Sequence, residues 1–99
     1  MTTLSDVIDR YNELKSQGSY TSQSAFASSM NANNAEDIMA YGLIAIAVNN
    51  SLASTGVVNE EDAKTVSNAM RMKVLERLEN SEAAASLLTY ACEHISSTL

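Results

Sequence analysis

The 99 residues contain no proline and no tryptophan; glycine stands only at 18, 42 and 56, and cysteine only at 92. Without proline, few breaks are forced, and the chain tolerates long helices. The lone Cys92 excludes an intrachain disulfide and requires no oxidising compartment. Aromatic residues make up only 5%. The core must therefore rest on Leu, Ile, Val, Met and Ala, and alanine contacts bury little area per residue. Such a core leaves room for an oligomer that adds buried surface.

Two further absences bear on location. Residues 1–20 lack a basic start followed by an apolar run, because Asp6, Asp9 and Arg10 interrupt it, so no signal peptide is expected. The longest apolar stretch, Ile38 to Val48, is eleven residues. A bilayer span needs about 20. The expectation is a cytoplasmic, soluble protein with no membrane association.

What the chain does have is acid. Twelve Asp and Glu against six Lys and Arg give a formal charge of −6. Seven of the twelve fall where a helix would begin: Asp6, Glu36, Asp37, Glu60, Glu61, Asp62 and Glu82. Carboxylates there stabilise a helix by roughly 0.3–1 kcal/mol each, because its N-terminus carries partial positive charge. The acidity reads first as punctuation and only second as a binding surface.

The apolar spacing fills in the elements, and no alternating strand pattern occurs. Leu4, Val7, Ile8, Tyr11 and Leu14 share one helical face, with Thr3 as N-cap, Asp6 in a capping-box position and Gly18 as the stop. Asp6 and Arg10 stand as an i,i+4 pair. Residues 16–34 are rich in Ser, Asn and Gln, which favour turns and caps. This segment forms either a short helix from Thr21 or Ser22 to Met30, with Ala25, Phe26 and Met30 inward, or a mobile loop.

Asn33-Asn34 cap a long helix over about residues 35–54, ended by Gly56. Its apolar residues leave no polar face between 38 and 48. A fourth helix begins at Asn59, with Ala63, Val66, Met70, Val74 and Leu78 as its stripe and Ala69, Met72 and Leu75 widening it. Asn80-Ser81 breaks it and caps a fifth, lined by Ala84, Leu87, Leu88, Ala91, Ile95 and Leu99. The fold expected is all-α: one domain over residues 1–99, a bundle of four to five helices around the apolar helix 35–54, as a dimer.

Chemistry is harder to find. His94 is the only histidine, and Cys92 lies two positions away, about 200° around a helix, so the two cannot share a metal or act as a catalytic pair. Glu60-Glu61-Asp62 lacks the spacing of a calcium loop. No phosphate-binding glycine loop or nucleophile elbow occurs. No catalytic residue, metal or cofactor is expected, and the chain reads as a non-enzyme. Lys64, Arg71, Lys73 and Arg77 put four of the six cations on helix four. The net charge nevertheless opposes direct nucleic-acid binding.

Three functional expectations follow. The first is a small acidic protein-interaction module: a regulator, inhibitor, adaptor or chaperone-like accessory protein acting through an apolar helical surface. In this reading Ile38, Met39, Leu43, Ile46 and Val48 mediate homodimerisation, because a helix so apolar on every side needs a second chain to cover it. Tyr20, Phe26 and Met30 would then contact the partner. The second is an acidic mimic of nucleic acid that blocks a basic site, using Asp9, Glu13, Glu76, Glu79 and Glu93, with Glu76, Glu79 and Glu82 as a ridge. The third is a structural subunit of a larger helical assembly.

Overall fold

The computed structural model describes the backbone of residues 2–98 and the side chains of residues 2–95. Five helices follow one another: α1 (Leu4–Gln17), α2 (Ser22–Asn31), α3 (Ala35–Ser54), α4 (Glu60–Arg77) and α5 (Glu82–Thr98). No strand occurs among the described residues. Nor is any described helix long and apolar enough to cross a membrane. The Cα radius of gyration, 12.3 Å, is close to the ~13 Å of a packed 100-residue domain.

Local chemistry fixes the helix starts. Thr3 and Thr21 each form a reciprocal capping box, with Asp6 and Ser24 as the respective partners. Asn34 accepts from the Asp37 N–H, and Asn59 from the Glu61 and Asp62 N–H groups. Ser81 Oγ accepts from the Ala84 N–H at 3.3 Å. Every acid assigned to a first helical turn lies in one. The Ser-rich segment contains a capped helix, α2, running to Asn31.

Two helix ends close in the same way. After α3, Val57 N–H donates to Leu52 O at 2.9 Å and Gly56 N–H to Ala53 O at 3.1 Å, with Gly56 at φ +78°. After α4, Asn80 N–H donates to Leu75 O at 2.8 Å and Glu79 N–H to Glu76 O at 3.1 Å. This is the Schellman pattern, which puts a left-handed residue just past the helix. The second copy has no glycine: Glu79 (φ 61°) and Asn80 (φ 52°) adopt that conformation themselves.

Each of the other four helices packs against α3. Its Ile38, Met39, Ala40, Leu43, Ile44, Ala45, Ile46 and Ala47 are all buried within one protomer. This corrects the premise behind the self-association residues. Ile38, Met39, Leu43 and Ile46 are already sheathed by their own chain, and Val48 is half-buried against the core. Small residues are the reason: Ala25, Ser29, Gly42, Ala63, Ala84 and Ala91 let neighbouring helices close over α3. A Cβ built on Gly42 would lie 2.7 Å from Val74 Cγ2 and 3.5 Å from Ser29 Oγ. At that point α2, α3 and α4 meet.

The inward face of α2 carries the expected Ala25, Phe26 and Met30, with Ser29 added. Ala25 and Ser29 are buried, whereas Phe26 and Met30 are half-buried. Ser29 Oγ donates to Ile38 O at 2.6 Å, and Ser22 Oγ to Ala45 O at 2.9 Å. Hydroxyls that bond α3 carbonyls pack closer than large side chains would. On α4 the buried residues are Ala63 and Val74, while Val66 and Met72 are exposed. The expected stripe otherwise faces inward, with Met70 and Leu78, and Leu75 beside them, half-buried against the core. On α5, Ala84, Leu88, Ala91 and Ile95 face inward as expected; Leu99 lies outside the described residues.

Candidate functional site

Two surface features gather polar chemistry. The first is a depression of about 420 Å³ where the outer face of α1 meets the start of α3, lined by Asp6, Asp9, Arg10, Glu13, Asn34, Glu36 and Asp37. Five of the twelve carboxylates therefore surround one guanidinium. On α1, Asp6, Asp9 and Glu13 sit at i, i+3 and i+7, one helical strip. Glu36 and Asp37 join them because Asn34 starts α3 beside that strip.

Arg10 organises the depression. Its Nε donates to Asp37 Oδ1 at 2.8 Å and its Nη1 to Glu13 Oε1 at 2.5 Å. The expected Asp6–Arg10 pair is replaced, since Asp6 is engaged in the capping box and Asp37 offers a fixed carboxylate on another helix. The Asp37 hydrogen bond raises the Arg10 pKa further above its already high value. The Thr3 backbone N–H, donating at 3.0 Å, holds the Asp6 carboxyl below the usual carboxylate range, with the Thr3 side chain adding to the effect. Asp9 and Glu36 take no part in the described ion pairs.

The second feature is a cleft of about 590 Å³ along α3 and α4, reaching Cys92 of α5. Its wall is held by a string of hydrogen bonds. Asn49 Nδ2 donates to Ala63 O at 2.7 Å and to Ser67 Oγ at 2.9 Å, and Ser67 Oγ donates to Asn50 Oδ1 at 2.9 Å. The four cations of α4 separate. Lys64 and Arg71 line the cleft, Lys73 pairs with Glu76 at 3.4 Å, and Arg77 donates to the Ala32 carbonyl on the far side. Glu60 also lines the cleft, one turn before Lys64, and the two form no ion pair among the described residues.

The expected partner-contact residues lie outside both features. Tyr20 packs edge-on against Tyr41 with centroids 6.1 Å apart, and Phe26 and Met30 lie half-buried against the core. Each of the three is thus partly buried against the core of its own chain. Cys92 is half-buried, and burial pushes its thiol pKa up despite the nearby Arg71. No group of three His, Cys, Asp or Glu is placed to hold a metal among the described residues. Neither surface feature is legible in the sequence: helix-start acids become neighbours only when α1 meets α3, and Asn49 and Asn50 find Ser67 only when α4 packs on α3. Comparison of the chain with models of known protein families, with curated proteins and with solved structures found no match.

Proposed function

We propose that this is a small, acidic, non-enzymatic protein-interaction module whose partner presents a basic surface. The observation that carries the reading is the meeting of five carboxylates around Arg10 at the junction of α1 and α3. Recognition is assigned to this charged face rather than to α3, since the apolar side chains of α3 are occupied by their own chain. A concentrated field of one sign raises the encounter rate with an oppositely charged surface and disfavours like-charged competitors. An adaptor, inhibitor or regulator would use such a face.

The test uses the two carboxylates with no described structural bond. Asp9→Asn with Glu36→Gln keeps the capping box and the Arg10 bridges. Partners captured by the immobilised chain at low salt should be lost from the double variant, and from the wild type as the Debye length shrinks toward 3 Å near 1 M salt. Partners held equally by both proteins and at both ionic strengths would overturn the reading.

The same carboxylates favour a second reading, an acidic mimic that occupies a nucleic-acid groove. Asp9 and Glu13 of the expected set lie in the depression, whereas Glu76, Glu79 and Glu93 do not. Competition decides between the two: duplex DNA or RNA displaces the partner only if the occupied site is a nucleic-acid groove.

A further inference from the structure

The cleft along α3 and α4 reaches α5 only at Cys92, and α4 and α5 are joined in an unusual way. Only residues 78–81 join the two helices, yet they scarcely touch each other; α4 packs on α3 and α2, and α5 on α3 and α1. A side-chain bridge spans the gap, from the Arg71 guanidinium to Thr89 Oγ1, and Thr89 Oγ1 in turn donates to Ala85 O at 2.9 Å. The floor is Ile46, which is buried but lies outside the main core cluster.

The lining has two characters. Ala53 and Cys92, both half-buried, supply apolar surface above the buried Ile46 and Ala63, and Asn50, Ser67 and Asn68 supply hydrogen-bonding groups. Lys64 and Arg71, two turns apart on α4, bring two cations against the single acid Glu60. In a chain of charge −6, this makes the cleft locally positive. Its volume of about 590 Å³ falls within the roughly 300–1,000 Å³ of small-molecule sites. The Asn49–Ser67–Asn50 string fixes one wall in advance, which lowers the ordering cost of binding.

We infer that this cleft binds a small organic monocarboxylate with an apolar body, the carboxylate at Lys64 and Arg71 and the body against the half-buried apolar lining, Ala53 or Cys92. Arg71 already spends one donor on Thr89, and Glu60 stands one turn before Lys64. The cleft therefore matches one negative charge better than several. This site is separate from the acidic depression and does not depend on the function proposed for it.

Octanoate below its micellar concentration is the probe, titrated into the full ¹⁵N-labelled chain with 1-octanol as the uncharged control. Octanoate should shift the amides of Ile46, Asn50, Ala63, Ser67 and Asn68, and octanol should bind about tenfold more weakly, the loss of one charge-assisted hydrogen bond. Lys64→Gln, at an exposed position, should weaken octanoate about tenfold without changing the melting temperature, and Glu60→Gln should tighten it. Absence of cleft shifts with octanoate would overturn the proposal. So would equal binding of octanol, or a Lys64→Gln variant that binds as the wild type does.

Discussion

Helices α3 and α4 are of similar length, 20 and 18 residues, yet ten residues of α3 are buried and only two of α4. Both start with an Asn cap and a first turn of acids, so their ends do not explain the difference. What differs is the number of neighbours: α3 meets all four other helices, and α4 chiefly α3. A helix surrounded on all sides gains from apolar side chains around its circumference, whereas one packed along a single line keeps them only there, as α4 does with Ala63, Met70, Val74 and Leu78. The outer side of α4 is thus free to carry charge, and its edge to form one wall of a cleft.

Truncation should separate the two helices most sharply. Leu43→Ala, at a position with no exposure in α3, should cost about 2–5 kcal/mol through lost burial and a residual cavity. Met72→Ala, 67% exposed on α4, should stay within about 0.5 kcal/mol. Urea denaturation of both variants checks this, and comparable losses would mean that α4 is covered in solution.

The contact between the two helices comes next. Gly42→Ala places a methyl against Val74, for which overpacking costs about 1–3 kcal/mol, while helix propensity returns about 1 kcal/mol. The net effect should be destabilising, and a Gly42→Ala, Val74→Ala double variant should be more stable than the sum of the two single losses. A double-mutant cycle without coupling would refute the close approach.

A smaller effect compares the helix ends. Gly56→Ala should lose about 1 kcal/mol after α3, and Glu79→Gly should gain a similar amount after α4, since only glycine takes the left-handed conformation without strain. Thermal melts should show the two changes with opposite sign.

The weakest perturbation is acid. The folded pKa of Asp6 is depressed, so its contribution is complete above the ordinary carboxylate pKa and is lost as pH falls through the lower folded value. Protection factors of the amides at the start of α1, corrected for the intrinsic pH dependence of exchange, should fall over that acidic window in the wild type, and much less so in Asp6→Ala.

Much of this architecture was legible in the residues. Thr3, Thr21, Asn34 and Asn59 announced the helix starts, because a cap depends only on the chain within three residues of it. Gly56 announced an end for the same reason; Glu79 did not, since nothing local marks a glutamate that turns left-handed. The inward serines of α2 were illegible, as were the exposure of Val66 and the gathering of Asp9 with Glu36. Each depends on which distant helix arrives at that face.

Sequence alone determined that the chain is helical, where its helices begin, and that it carries excess acid, because caps, periodicity and charge are short-range or additive. Only the tertiary structure decided that α3 is covered by its own protomer, through close approaches at Gly42, Ala25 and Ser29 whose value depends on the atoms opposite. It likewise placed the carboxylates of α1 beside those of α3 and held α4 apart from α5. Packing of small side chains is a property of pairs of surfaces, and a single strand of sequence specifies just one member of each pair.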